Sequence, residues 1–176
     1  MTPVSLLTTP KQDRDEIADS DDGPGEPPGQ CHIELNLLAQ DCDPPLTDWV
    51  VTQLLDISRL AGVVGGNLCL AVVDDQEMSR LHEQYKGVAG TTDVLTFDLR
   101  DDHESQLEAD VVVCLDEAAR QASQRNRDTR LEVLLYAVHG LLHLIGFDDV
   151  TPQQADVMHQ KENELLAAAG FEPLYG

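Results

Sequence analysis

Residues 131–145 read LEVLLYAVHGLLHLI and would be apolar on nearly every side of a helix. Thr129 and Glu132 have the spacing of a capping box at its start, and Gly146 predicts its end because glycine enters the left-handed region without a Cβ penalty. A helix without a polar face must be covered by other elements. We therefore expect this helix at the centre of the core.

The rest of the chain predicts about four strands and about five helices in mixed order, counting this helix. Alternating or short apolar runs predict strands at 32–38, 68–73, 93–99 and 109–115. A second helix is expected at 49–60, and a third begins after a capping box formed by Asp74 and Glu77. A fourth runs from a cap at Asp116 through Ala122. The last follows Thr151, where Pro152 and Gln154 complete the pattern typical of a helix N-terminus. The predicted fold is a single α+β domain with a four-stranded mixed sheet.

The two ends of the chain differ in composition. Residues 1–30 end in acids, glycines and prolines with little to bury, so they are predicted to be a disordered acidic tail, with the folded domain at 31–176. No apolar run reaches the roughly 18 to 20 residues of a membrane span, and the start lacks signal-peptide features. We expect a cytoplasmic protein without membrane contact.

The chain is strongly acidic, with 11 basic and 33 acidic residues and a net charge of −22. Such a charge opposes nonspecific attraction to nucleic acid, so a general polyanion binder is unexpected. The four cysteines form no CxxC pair and are predicted to be buried, reduced thiols (Cys31, Cys42, Cys69 and Cys114).

His139 and His143 lie four residues apart in the apolar helix and so share one face. Asp149 follows the Gly146 turn and can fold back as a third ligand, which leaves a fourth position for water, as in an open zinc site. Two unpartnered imidazoles would be costly to bury, which favours a metal over satisfied core histidines. Asp148 is a competing carboxylate, with a role either in the turn or in orienting an imidazole.

Three blocks of the sequence resemble the YbeY family of endoribonucleases. HGLLHLIGFDD (139–149) resembles the family signature H-G-x-L-H-L-x-G-[YF]-D-H, and LHEQYKGVAGTTDVLTF (81–97) resembles L-N-x-x-Y-R-x-x-x-x-x-T-D-V-L-S-F. LEADVVVCLDEAARQA (107–122) resembles a third block, L-G-D-I-x-I followed by a helix. The chain departs from the family at Asp149, where His is usual, at Lys86, where Arg is usual, and at Ala109, where Gly is usual.

The resemblance implies a zinc-dependent endoribonuclease that cleaves single-stranded RNA, matures the 3′ end of small-subunit ribosomal RNA and acts in ribosome quality control. One Zn²⁺ per chain would be held by His139, His143 and Asp149, with Lys86 and His139 as catalytic residues. The implied partners are ribosomal RNA and the small ribosomal subunit or its proteins. Without the resemblance, Lys86 would be interpreted as a solvated lysine.

Other interpretations remain open on the residues alone. One is a zinc hydrolase of another substrate, such as a peptidase, which the ligand spacing supports. Gly140 stands where an HExxH peptidase has its catalytic Glu, which disfavours the peptidase. A noncatalytic ribosome-assembly factor with structural zinc is a further alternative, and nickel, cobalt or iron would also suit two His and a carboxylate. The arginines of residues 120–130 are interpreted either as a guide for RNA or as a solvated helix end (Arg120, Arg125, Arg127 and Arg130).

Overall fold

The computed structural model describes residues 31–37, 44–102 and 106–174, with no side-chain description for 31–37, 44, 45 and 47. The predicted tail at 1–30 and Cys42 lie outside these residues. The described residues contain four strands, β1 Cys31–Leu37, β2 Gly66–Val73, β3 Val94–Asp98 and β4 Leu107–Cys114. They also contain five helices, α1 Pro44–Leu60, α2 Asp75–Lys86, α3 Leu115–Arg125, α4 Thr129–Leu144 and α5 Pro152–Ala168. The predicted α+β fold is confirmed.

The strands form one mixed sheet in the order β1-β2-β4-β3. β1 is parallel to β2 and β2 is parallel to β4, whereas β3 runs antiparallel to β4 at the edge. Side chains of β4 alternate between two apolar clusters: Val111 and Val113 face the cluster around α4, and Val112 and Cys114 face the cluster on α2. The sheet therefore separates α2 from α4 and the helices around it.

Helix α4 is the buried central helix that its composition predicts. Eleven of its residues are buried, and it packs with α1, α3, α5, β3 and β4. Gly146 ends it as expected: its φ is 98°, and the Phe147 N–H donates to the Leu142 carbonyl at 3.0 Å. No helix among the described residues has the length and apolar content needed to cross a membrane.

Two predicted helix starts are confirmed and three are wrong. Helix α1 begins at Pro44, five residues before the predicted Trp49. Asp74 caps α2 by accepting from the Glu77 N–H at 2.8 Å, and Thr151 and Gln154 form the capping box of α5. The predicted Asp116 cap is wrong, since α3 starts at Leu115 after Cys114. Asp116 instead accepts a hydrogen bond from the Asp75 N–H at 2.8 Å.

The predicted Thr129–Glu132 capping box at the start of α4 is also wrong. Asp128 caps this helix by accepting from the Arg130 N–H at 2.9 Å. Glu132 is fully buried and faces Arg125, whose guanidinium lies 2.9 Å from its carboxylate. Its carboxylate is therefore committed to an ion pair with the end of α3 and does not reach back to the cap.

The buried thiols are confirmed where side chains are described. Cys69 and Cys114 are both buried, and the Cys114 thiol donates to Asp75 at 3.2 Å. Burial raises the pKa of Cys114, which keeps it in the thiol form.

Gly140 sets how closely α4 approaches the sheet. A Cβ at this position would lie 2.9 Å from both the Thr96 Oγ1 of β3 and the Val111 Cγ1 of β4. Ordinary van der Waals contact begins near 3.4 Å. Glycine is therefore needed here for helix–sheet contact, one residue after His139.

We expect Gly140→Ala to lower the free energy of unfolding. The added methyl group would overpack the core, which costs about 1–3 kcal/mol. Both side chains that the methyl group would contact are β-branched and have few alternative rotamers. The cost therefore exceeds the gain of about 1 kcal/mol in helix propensity. Denaturant unfolding of the metal-free protein measures this. The loss of unfolding free energy in the Gly140→Ala/Val111→Ala double variant should be smaller than the sum of the losses in the two single variants. A loss equal to that sum would show that the contact does not matter.

Candidate metal centre

The structure brings together the three side chains that the sequence singled out. His139 and His143 lie on successive turns of α4, and their Nε2 atoms are 3.1 Å apart. Asp149 returns after the Gly146 turn, with Oδ2 at 3.6 Å from His139 Nε2 and Oδ1 at 3.8 Å from His143 Nε2. With one atom taken from each residue, all three lie within 4.8 Å of one another.

This spacing suits a tetrahedral ion. Ligands at about 2.0–2.1 Å from a tetrahedral metal lie about 3.3–3.4 Å apart, and the shortest His–His and His–Asp separations fall on either side of that value. Two nitrogens and one oxygen are also ligands that zinc accepts. The three residues could therefore hold a metal ion.

Hydrogen bonds on the far side of each ring aim both Nε2 lone pairs at the same point. The Nδ1 of His139 lies 2.7 Å from Glu162 Oε1, and the Nδ1 of His143 lies 3.2 Å from the Phe147 carbonyl oxygen. Both partners can only accept when Glu162 is ionised, so both Nδ1 atoms carry the proton. Two facing lone pairs 3.1 Å apart repel each other unless a proton or a metal ion lies between them, so the two rings are arranged to bind a cation.

The surroundings of His139 are electrically negative. Burial by itself lowers the pKa of His139, but the hydrogen bond and charge of Glu162 and the charge of Asp149 outweigh it, so the pKa lies above its ordinary value. The same negative field stabilises any cation at the Nε2 atoms.

The three residues open into a cleft of about 540 Å³ beside the edge strand β3. Lys86, the last residue of α2, lines the same cleft, and Gly87 ends that helix with a φ of 68°. Lys86 is the only Lys or Arg among the described residues that line the cleft. The remaining lining residues come from the two positions before β3, from β3 itself and from the end of α4 (Thr92, Asp93, Val94, Leu95, Thr96, Asp98 and Leu144).

Gly140 and Asp148, each next to a candidate ligand, both have structural roles. The close contacts of Gly140 leave no space for the Glu of an HExxH peptidase at that position. Asp148 accepts a hydrogen bond from the Asp149 N–H at 2.9 Å and so supports the turn. The imidazole-orienting carboxylate is Glu162, which the sequence analysis missed.

Helical spacing was the signal that could have revealed Glu162. It lies four residues after Met158 and four before Leu166, so it falls on the apolar face of α5, and all three residues are fully buried. A carboxylate in the middle of an apolar face needs a partner.

Arg100 is a second residue that the sequence analysis missed. Its side chain is 8% exposed, pairs with Asp98 at 2.7 Å and donates to the Leu144 carbonyl at 2.6 Å. It thereby binds a carbonyl at the C-terminal end of α4, just after His143.

The arginines of residues 120–130 do not reach the cleft. Arg125, Arg127 and Arg130 surround the start of α4, whose axis places them about 20 Å from His143. Each of the four arginines has an intramolecular acidic partner. Arg120 pairs with Asp75 and Glu117, Arg125 and Arg127 both pair with Glu132, and Arg130 pairs with Asp128. Their hydrogen bonds fit the interpretation as a structural helix end, and the RNA-guiding interpretation finds no support in this arrangement.

One of these pairs joins α2 to α3. The two terminal guanidinium nitrogens of Arg120, Nη1 and Nη2, donate to the Asp75 carboxylate at 2.6 and 2.8 Å. The hydrogen bond from Arg120 holds the pKa of Asp75 down at about 2. This arginine is therefore committed to holding two helices together.

The fold and the site define a small α+β protein with a three-ligand group able to hold a metal ion in an open cleft. The family model described as Endoribonuclease YbeY matches residues 43–170, and the chain belongs to the YbeY family. The resemblance seen in three sequence blocks is thereby confirmed.

Individual relatives agree with this assignment. The Endoribonuclease YbeY of Carboxydothermus hydrogenoformans is 33% identical over 123 residues, covering 70% of this chain and 86% of its own. That of a Nocardioides species is 37% identical over 133 residues, covering 65% and 89%. A Thermotoga maritima protein with a known solution structure shares the fold, with a TM-score of 0.54 and 20% identity over 81% of this chain and 99% of its own.

We expect Asp149→Ala to weaken zinc binding by at least about 100-fold, since even partners behind the ligands contribute about 10–100-fold. Asp148→Asn is the matched control, because it removes the charge of the neighbouring exposed carboxylate but keeps an oxygen that can accept from the Asp149 N–H. Competition with a chromophoric chelator measures both affinities. Equal affinities in the two variants would remove Asp149 from the ligand set.

Proposed function

We propose that this chain is a zinc-dependent endoribonuclease that cleaves single-stranded RNA and takes part in maturing the 3′ end of small-subunit ribosomal RNA. The observation that carries the proposal is that Lys86 and the three-ligand group line one cleft. A cation for phosphate thus lies beside a candidate metal centre. Membership of a family named for endoribonuclease activity supports RNA as the substrate.

In this proposal each residue has a defined task. His139, His143 and Asp149 hold the ion, which when bound supplies an activated water and polarises a phosphoryl oxygen. Lys86 binds the scissile phosphate and offsets the negative charge that builds up on it during attack. Gly140 contributes no base, so the proton of the attacking water must leave without the Glu that peptidases use.

The charge of the protein restricts how RNA can approach. With a net charge of −22, the surface as a whole repels RNA, and the arginines of residues 120–130 are occupied by acidic partners. Attraction must therefore be local, through the metal and Lys86, or be supplied by the small ribosomal subunit or its proteins. A cytoplasmic location, expected from the sequence, stays a prediction.

We expect the zinc-loaded protein to cleave a labelled single-stranded RNA, and a chelator or His143→Ala to abolish cleavage. The same RNA annealed into a duplex should be cut far more slowly, and casein should not be cut. Gel analysis of the products, with metal analysis of the protein purified without added metal, measures this. Casein cleavage would favour the peptidase, and inertness with tightly bound zinc would favour the noncatalytic assembly factor.

We expect Lys86→Ala to lower kcat/KM for single-stranded RNA by on the order of 10- to 100-fold, less than the about 10²–10³ of a buried catalytic donor, because Lys86 is exposed. Lys86→Arg should restore most of the rate, since its guanidinium also binds phosphate. Lys161→Ala, which changes a lysine on α5, is the control. An unchanged rate in Lys86→Ala would rule out the phosphate-binding role.

A further inference from the structure

Glu162 is a buried carboxylate with an incomplete set of partners. It is 0% exposed in the middle of α5, and its Oε1 lies 2.7 Å from the Nδ1 of His139. Its second oxygen, Oε2, is buried and has no hydrogen-bond partner among the described residues. A half-satisfied buried carboxylate destabilises a fold relative to an apolar residue of the same size. Folding stability alone therefore does not explain this glutamate.

Glu132, the other buried glutamate among the described residues, has partners of a different kind. Its Oε1 also lacks a hydrogen bond, but an Arg127 nitrogen lies 3.6 Å from that oxygen. Glu132 faces two guanidinium groups, from Arg125 and Arg127, which carry a charge at all ordinary pH values. Glu162 faces one imidazole, whose other nitrogen belongs to the candidate metal centre. A neutral imidazole does not balance the charge of Glu162, whereas a metal ion bound at the far nitrogen of His139 would.

The two imidazoles are also supported unequally. His143 is oriented by a neutral backbone carbonyl at 3.2 Å, four residues along its own chain. His139 is oriented by a charged side chain at 2.7 Å, 23 residues away on another helix. A carboxylate behind a histidine ligand fixes its tautomer and makes its far nitrogen a stronger donor to the metal.

We propose that Glu162 is a positioning residue for the metal centre, which holds the Nε2 of His139 toward the ion and supplies the second negative charge of the site. Asp149 supplies the first charge in direct contact, so the two carboxylates together balance a divalent cation. Helix α5 is thereby coupled to metal binding although it contributes no ligand. This inference rests on the metal binding of the proposed function and does not require RNA cleavage.

The test measures metal affinity in the full chain with Zn²⁺ by chelator competition, and metal geometry with Co²⁺ by visible absorption. Glu162→Gln keeps the shape and an acceptor oxygen but removes the charge, whereas Glu162→Ala removes both. Glu164→Gln is the matched control, because it makes the same change two residues along α5 at an exposed position. The unfolding temperature of each metal-free variant is measured in parallel.

We expect Glu162→Gln to weaken Zn²⁺ binding by about 10- to 100-fold and Glu162→Ala to weaken it further, with an altered Co²⁺ spectrum. The metal-free unfolding temperature of Glu162→Gln should stay equal or rise, which a purely structural role would not produce. Glu164→Gln should match the unchanged protein in all three measurements.

The proposal would be overturned if the Zn²⁺ affinity of Glu162→Gln lay within about threefold of that of Glu164→Gln, since groups that orient metal ligands change affinity by more than this. A lowered metal-free unfolding temperature with unchanged Zn²⁺ affinity would also overturn it. Glu162→Gln decides alone if Glu162→Ala does not fold. Failure of the unchanged chain to bind Zn²⁺ would overturn both this proposal and the metal centre. Tight Zn²⁺ binding without RNA cleavage would overturn only the proposed activity.

Discussion

The close packing of α4 on the sheet at Gly140 is the contact on which the rest of the structure depends. It presses a helix with eleven buried residues against β3 and β4, and it fixes His139 beside the edge strand that lines the cleft. The glycine also excludes a side chain where a zinc peptidase carries its base. One steric requirement thus shapes the core, the position of the metal ligands and the chemistry that the site can perform.

Two buried glutamates show how the same group serves stability and function. Glu132 at the start of α4 is matched by permanent cations from the end of α3 and the loop after it, so it ties helices together. Glu162 is matched by an imidazole that also faces the cleft. A carboxylate paired with permanent cations has its charge balanced within the fold. The charge balance of a carboxylate paired with a candidate metal ligand depends on what the site binds.

In the proposed function, the acidity of the protein would limit its recognition of RNA to a small region. The arginines that looked available in the sequence are consumed by neighbouring acids, and Lys86 is the cation that the described structure leaves in the cleft. Substrate attraction would therefore depend on metal loading, since the ion adds the largest positive charge near Lys86.

Local patterns in the sequence were sufficient for the helices, the sheet class, the Gly146 turn and the three candidate ligands. Each depends on spacing along one segment: a near-continuous apolar run for α4, an interval of four for His139 and His143, and a glycine turn before Asp149. The cap of α4 was missed because Asp128 and Thr129 are adjacent cap-forming residues, and the choice between them depends on Glu132 pairing with α3.

The partners of charged side chains were decided only by the tertiary structure. Glu162 and His139 are 23 residues apart, and Arg100 reaches a carbonyl 44 residues away, so no local periodicity encodes either contact. The sequence by itself determined which side chains share a helix face, because that depends on the 3.6-residue repeat. The tertiary structure decides which helix face packs against which element, because that depends on how distant segments of the chain come together. It therefore also decides which charged side chains become partners.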